Sequence, residues 1–448
     1  MITALNEMNK RNYPKMKTIS KFLNNVFLII LILACYSFSS YYKPQDNNTI
    51  INNRIKLKSA SYKGLVMAGY QGWFNTEGDG ADRGWNHYRK GSHFQPGNCK
   101  FDFWPEMSEY PKQYTSPFSF ANGKPATLFS SFDESTVDLH FKWMKEYGID
   151  GVFVQRFITN LKTAVGYNHN QKVLASAFKS AKKYDRVICI MYDLSGMDSG
   201  DVEVVKEDWR KLVRQYDLLG KGRLPQYLCH NGKPLVSVWG AGFNDNRKYS
   251  LEDVNKIVDF LKNDPKYGGF SVMLGVPTYW RTLNQDTQSN KLLHTIIRKV
   301  DIVHPWLVGR FNETTYPKFK DIIHQDIEWC KQNKVDYVPT VFPGFSWHNM
   351  KNESPSNQIP RNKGQFYWQQ MTGAITSGAE MIYVAMFDEI DEGTAIFKCA
   401  HNVPVGKSVF VPIDKEISSD YYLRLTGQAT KMLRKEIPFQ QEIPLEKQ

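Results

Sequence analysis

Four carboxylates stand within five residues near the end of the chain, in Phe387-Asp388-Glu389-Ile390-Asp391-Glu392-Gly393-Thr394. Glu389 and Glu392 are three apart, so one helical turn would put both on the same side. Two carboxylates on one wall of a cleft are what glycosidic bond cleavage uses, one as proton donor and one as base or nucleophile. The same residues could instead form a solvated acidic turn that caps the next helix. The run before them favours the first reading. Met381-Ile382-Tyr383-Val384-Ala385-Met386 has the length and make-up of a buried strand. A buried strand that ends in clustered acids is how many α/β barrels present catalytic groups at one rim.

Other chemistries have less support. Asp388, Asp391 and Glu392 could hold calcium, but their spacing is not that of an EF-hand loop. No H-E-x-x-H or G-x-S-x-G pattern occurs, so neither a metal nor a cofactor is expected.

The acids need a scaffold, and the chain supplies a regular one. Apolar stretches alternate with helical patterns from Gly64 onward. The stretches are Gly64–Phe74, Gly151–Phe157, Val187–Asp193, Pro234–Gly240, Phe270–Val276, Ile302–Val308, Tyr337–Phe342 and Met381–Phe387. Amphipathic helices are predicted over 137–144 and near 170–183, 201–218, 251–263, 289–299, 317–333 and 364–377. Asp133 or Ser135 would cap the first of these, and Ser250 starts the one at 251–263. Eight continuous apolar strands, seven followed directly by helices, predict a single α/β domain, a (β/α)8 TIM barrel over residues 61–437 with a tail at 438–448. No glycine-rich phosphate loop follows the first strand, which argues against a nucleotide-binding fold. Residues 75–125 are a long aperiodic loop holding Trp85, His87, Trp104 and Glu106. A loop of that length in a compact domain usually shapes a site.

In such a barrel the C-terminal strand ends line one pocket. Read off the sequence, they offer Tyr70, Trp73, Gln155, Arg156, Tyr192, Asp193, Trp239, Trp280, Trp306, Trp347 and Asp388 as substrate-binding candidates around Glu389 and Glu392. Arg156 and Asp193 could also pair with each other. An aromatic wall with one acidic patch suits a neutral, hydroxyl-rich ligand, so an oligo- or polysaccharide is the expected partner. Aromatics make up 14% of the chain, which serves either such a wall or a large core.

The net charge is +12, and it falls to +8 without the first 34 residues. The remaining basic residues are dispersed and match no nucleic-acid motif, so no nucleic-acid partner is expected. Lys17 and Lys21 precede the apolar run 26–34 and then Cys35, the order of a signal peptide. Ile32-Leu33-Ala34-Cys35 resembles a bacterial lipobox. Residues 1–35 thus read as a lipoprotein signal and 36–60 as a flexible tether. An exported, periplasmic or cell-surface lipoprotein is expected, a monomer that meets a membrane only through its N-terminal lipid. The six cysteines match no zinc or redox spacing, and one disulfide among them is conceivable.

A family resemblance adds to this reading. Phe387–Thr394 resembles the F-N-E-W-H-E-G-T stretch of glycoside hydrolase family 99, the endo-α-mannosidases. The wider chain, over about 62–435, is similar to the family 71/99-like proteins of Bacteroidetes labelled xylosidase/arabinosidase. It is so through Met67–Phe74, Gly148–Phe153 and Val308-Gly309-Arg310-Phe311. The resemblance implies a (β/α)8 barrel and a retaining hydrolase of an α-linked glycan. It further implies that Glu389 draws the proton from the substrate 2-hydroxyl while O2 attacks the anomeric carbon to form a 1,2-anhydro sugar. Glu392 would protonate the leaving oxygen and then activate water. This chain departs from the motif at Asp388, Ile390 and Asp391. The extra acids should raise the Glu pKa values by like-charge repulsion, and one stacking ring is missing. Two alternatives stay open: a non-catalytic carbohydrate-binding lipoprotein, and an exo-acting xylosidase or arabinosidase with Asp193 as nucleophile.

Overall fold

Each of the eight apolar stretches becomes a strand of one sheet in a computed structural model that describes residues 59–444. These residues lie within a compact unit, Ile55–Gln448. The signal segment, Cys35 and residues 36–58 of the tether lie outside the described residues, as do 445–448 of the tail. Ser59, from the end of the expected tether, is buried, and its carbonyl accepts a hydrogen bond from the Cys229 N–H at 2.7 Å.

The strands in chain order are β1 (Val66–Tyr70), β2 (Tyr114–Ser119), β3 (Pro125–Leu128), β4 (Gly151–Phe157), β5 (Val187–Asp193), β6 (Cys229–His230), β7 (Lys233–Trp239), β8 (Ser271–Val276), β9 (Ile302–Pro305), β10 (Asp336–Tyr337), β11 (Thr340–Val341) and β12 (Ile382–Val384). The main sheet runs β10-β9-β8-β7-β5-β4-β1-β12-β11, with parallel pairing at every step. Off this path the small β6 joins the same sheet antiparallel to β7.

The two ends of that path are halves of one stretch, 336–341, divided by Val338-Pro339. The first half bonds to β9, and the Val338 N–H continues it onto Val303 O at 3.0 Å. The second half bonds to β12, where Tyr383 N–H reaches Pro339 O at 3.0 Å. Proline has no N–H to give a ladder. At Pro339 the stretch passes its bonding from one neighbour to the other, and the ring closes on eight strand positions. This is the (β/α)8 barrel that the alternation predicts.

Every residue of β1, β8, β9 and β12 is buried, as strands covered on both faces must be. Helices Glu134–Tyr147, Ala164–Tyr184, Val202–Gln215, Leu251–Asn263, Leu292–Ile297, Tyr316–Asn333 and Gln365–Thr376 alternate with the strands. After β12 comes a long irregular segment, and then a helix at Tyr421–Leu433. Ser250 starts its helix by a capping box with Asp253, accepting from the Asp253 N–H while the Asp253 carboxylate accepts from the Ser250 N–H at 3.1 Å. Asp133 precedes its helix without capping it. Its carboxylate takes Lys112 Nζ and Tyr114 OH, both at 2.8 Å.

The loop after β1 contains more structure than its composition announces. It carries the antiparallel hairpin β2-β3. Its Asp102 carboxylate also accepts from Ser346 Oγ and from the His348 and Asn349 N–H groups, which ties it to the loop that follows β11. Among the described residues, five cysteines are buried and unpaired, so no disulfide forms among them. No helix of those residues is long and apolar enough to cross a membrane.

Candidate active site

The acidic segment leaves β12 as a tight turn, not as a helical one. Met386 N–H bonds Thr394 O at 3.2 Å, and Phe397 N–H bonds Phe387 O at 3.0 Å, so the chain doubles back on itself. At the tip Gly393 takes φ 68°, a left-handed conformation that glycine adopts readily. A Cβ there would also lie 2.9 Å from Phe103 Cε2 and from Ser346 N.

This turn points Glu389 and Glu392 into one cavity of about 250 Å³ at the C-terminal ends of the strands. Its other walls are Gln71, Trp73, Gln155, Phe157, Asp193, Ser195, Trp239 and Trp306. Of the sequence candidates, Trp73, Gln155, Asp193, Trp239 and Trp306 therefore share it with the two glutamates.

The remaining candidates do not line it. Tyr70 is buried, with its OH 2.9 Å from His140 Nδ1. Arg156 and Tyr192 turn to the helix side, where both bond Asp208; Arg156 Nε lies 2.9 Å and Tyr192 OH 2.6 Å from its Oδ2. Arg156 does not pair with Asp193. Trp280 is buried, and its indole N–H donates to Asp326 at 3.1 Å. Trp347 stacks under Lys351, whose Nζ is 3.8 Å from the ring. Asp388 is fully buried behind the cavity wall and accepts the Gln71 and Gly72 N–H groups, both at 2.8 Å.

The two glutamates are held differently. Glu389 Oε1 accepts from Gln71 Nε2 at 3.0 Å, and Oε2 accepts from Thr394 Oγ1 at 2.9 Å. Both donors favour the ionised form. Burial opposes them and pushes Glu389 well above the usual carboxylate range, and the nearby Glu392, Asp391 and Asp388 push the same way. Glu392 has no such support; its backbone carbonyl accepts from Ser346 N–H, but no donor holds its carboxylate among the described residues. Burial, followed by Asp391, raises it to about 7. Asp388 and Asp391 are also raised to about 7, chiefly by burial.

Beside Phe157 and Ser195 of the cavity wall, Gln71 and His87 escaped the sequence reading. Gln71 lay inside the predicted first strand, but nothing in its type marked it as the partner of Glu389. His87 sits in the long loop, stacked on Trp73 with ring centres 3.7 Å apart and planes 9° apart. Its Nδ1 lies 3.1 Å from Asp391 Oδ2, and burial holds its pKa well below the usual histidine value. The neutral imidazole thus fixes Trp73 against the acidic turn. No spacing rule could have found this contact across 304 residues. Among the described residues no group of three or more His, Cys, Asp or Glu is arranged to hold a metal ion.

A sequence model of glycosyl hydrolase family 99 matches residues 312–435, the segment that carries both glutamates. The glycoprotein endo-alpha-1,2-mannosidase of Mus musculus is 20% identical over 392 residues, covering 83% of this chain and 75% of that protein. Its Rattus norvegicus counterpart is 19% identical over 397 residues, with the same coverage. The solved structure of the GH99 endo-alpha-mannosidase from Bacteroides thetaiotaomicron superimposes with a TM-score of 0.60 at 16% identity, covering 83% of this chain and 98% of that one. The chain is thus similar to glycosyl hydrolase family 99 over this segment, and to its solved member in fold. In the barrel the matched segment runs from the loop after β9 through the helix Tyr421–Leu433. It includes both halves of the closing stretch and the acidic turn. Gln71, Trp73, Gln155, Asp193, Trp239 and Trp306 lie outside it.

Proposed function

We propose that this family 99-like protein is a retaining glycoside hydrolase of an α-linked glycan, in the α-mannan class, working through Glu389 and Glu392. The endo-alpha-mannosidase activity of the relatives supports the substrate class. One observation carries the roles: Gln71 and Thr394 both donate to Glu389, while the Glu392 carboxylate faces the cavity unheld.

In its ionised form, which its two donors stabilise against the burial that raises its pKa, Glu389 removes the proton of the sugar 2-hydroxyl. O2 then attacks the anomeric carbon and the glycosidic bond breaks. Glu392, whose burial raises it to about 7 so that much of the protein holds it protonated near neutral pH, gives that proton to the leaving oxygen. The intermediate is a 1,2-anhydro sugar. Glu392, now ionised, takes a proton from water, the water oxygen opens the three-membered ring at the anomeric carbon, and Glu389 returns its proton to O2 as the C1–O2 bond breaks. Two inversions give net retention. Trp73, Trp239 and Trp306 provide apolar faces for the sugar rings, and Gln155 a polar group for hydroxyls.

The test is a panel of α-mannan, α-glucan, arabinan and xylan fragments, with products read by mass spectrometry. The wild type should cleave α-mannan fragments. Glu389→Gln and Glu392→Gln should still bind them while turnover falls by about 10²- to 10⁴-fold. Equal binding by all three proteins without cleavage would leave a carbohydrate-binding protein instead.

A second reading rests on Asp193, which faces the same cavity. There it would attack the anomeric carbon directly, as in an ordinary two-carboxylate hydrolase. A substrate without a free 2-hydroxyl separates the two: cleavage of it removes the anhydro-sugar route.

We also propose export, with Cys35 as the site of lipid attachment, from the order of Lys17, Lys21, the apolar run 26–34 and Cys35. Mass spectrometry of the mature N-terminus tests this. A chain cut elsewhere, with an unmodified Cys35, would count against it.

A further inference from the structure

A second groove, of about 810 Å³, opens among the loops that follow β1, β11 and β12. It shares no lining residue with the catalytic cavity. Arg361 lines it and is only 6% exposed. Its guanidinium is held between two rings, 4.2 Å from the Phe103 centroid and 4.7 Å from that of Tyr422. Nη2 donates to the carbonyls of Gly393 at 2.9 Å and Ala395 at 2.7 Å. Nε and Nη1 have no partner among the described residues. The fold makes room for this side chain: at Gly344 a Cβ would lie 2.6 Å from Arg361 Cγ.

An arginine stays charged at any ordinary pH. Burying that charge without a counter-charge is unfavourable, and ring faces and carbonyls offset only part of the cost. No carboxylate hydrogen-bonds Arg361 among the described residues. Its neighbour Lys363 is already paired with Glu416 at 2.7 Å and Asp414 at 3.7 Å. Lys415 also lines the groove, at its exposed rim. The groove is thus lined by a buried cation whose Nε and Nη1 have no partner among the described residues, by Lys415 at its mouth beside the Lys363–Asp414 pair, and it has a volume usual for small-molecule sites.

We propose that this groove binds an oxyanion group, a carboxylate, sulfate or phosphate, with Arg361 as the buried contact and Lys415 as the contact at the rim. The site needs no assumption about the hydrolytic reaction. It does adjoin it: the carbonyls that Arg361 holds belong to Gly393 and Ala395, immediately beyond Glu392.

Calorimetric titration of the full chain at constant ionic strength tests the proposal, with inorganic phosphate, sulfate, glucuronate and neutral glucose as probes. The oxyanions should bind saturably and glucose should not. Lys415→Glu, at an exposed position, should weaken that binding about tenfold, and Arg361→Lys should weaken it further. Tighter binding of glucuronate than of phosphate would make an acidic sugar the source of the anion. The reverse order would make it a free anion. Absence of saturable oxyanion binding overturns the proposal, and so does an affinity unchanged by Lys415→Glu, which decides alone if Arg361→Lys fails to fold.

Discussion

At the ends of β4 and β5, Arg156 and Tyr192 turn outward and meet Asp208 on the helix Val202–Gln215. One residue further along, Phe157 and Asp193 turn inward and line the cavity of Glu389 and Glu392. The ladder explains the division. Arg156 lies opposite Tyr192, which lies opposite Val238, while Phe157 lies opposite Asp193, which lies opposite Trp239. In a parallel ladder, paired residues share a face, and neighbours along a strand take opposite faces. The same polar chemistry is therefore structural in one register row and exposed to the cavity in the next. Proximity to a strand end is not enough to place a residue in the site.

The contrast is sharpest in the loss it predicts on each side. Glu392→Gln should reduce turnover by about 10²- to 10⁴-fold and leave the denaturation midpoint in place. Asp208→Ala should destabilise by about 3–5 kcal/mol, because Arg156 is left buried without its partner. Turnover per folded molecule should then hold steady, as read by denaturant unfolding beside initial rates. A fall in turnover of the folded Asp208→Ala protein would break the division between rows.

A smaller effect is expected where the inward row is packed. Gly275 lies opposite Trp239, and a Cβ there would come within 2.4 Å of Trp239 Cδ1. Gly275→Ala should push that ring into the cavity and lower kcat/KM by about 10- to 100-fold, with little change in how the cavity-remote Tyr192–Asp208 contact behaves. Steady-state kinetics on the mannan fragments would read it.

The pH response should be asymmetric as well. In the proposed mechanism Glu392 must carry its proton to act as an acid, and burial raises it to about 7. The kcat/KM profile should therefore fall as pH rises through about 7, and an alkaline limb near the ordinary carboxylate range would contradict the assignment. Asp388 gives the smallest change. Its carboxyl is likewise raised to about 7, so its folded form holds a proton more tightly than its unfolded form. Its contribution to stability is then full below the unfolded value and declines as pH climbs toward 7. Asp388→Asn removes that decline, so the melting temperature of the variant relative to wild type should rise between about pH 4 and pH 7.

Much of the barrel was legible because its strands are apolar on both faces and write themselves as continuous runs. That same property hid the orientation of the strand ends. An alternating strand reveals which side faces inward, but a run such as Val187–Asp193 does not, and both Tyr192 and Asp193 passed as cavity residues. Trp280 was misplaced for a related reason: its ring and N–H satisfy Asp326 within the fold, a contact no local pattern encodes. Gln71 and His87 lay beyond reach because their partners, Glu389 and Asp391, come from the far end of the chain. The doublet of glutamates was legible because it is local. Its geometry, a doubled-back turn rather than a helix, depends on Gly393 and on packing against Phe103 and Ser346.

The pairing of β1 with β12 has a consequence for how the molecule is made. Val66 lies opposite Ile382 and Ala68 opposite Val384, so the first strand of the ring finds its second neighbour more than 300 residues later. Until that neighbour emerges, a nascent chain carries an open edge of unpaired backbone groups, the kind that recruits other chains. The arriving segment shields the edge and delivers Glu389 to Gln71 in the same docking event. A prematurely terminated product would therefore be both inert and prone to aggregate, and a quality-control system that removes sticky fragments would clear the inactive ones without having to recognise them as such.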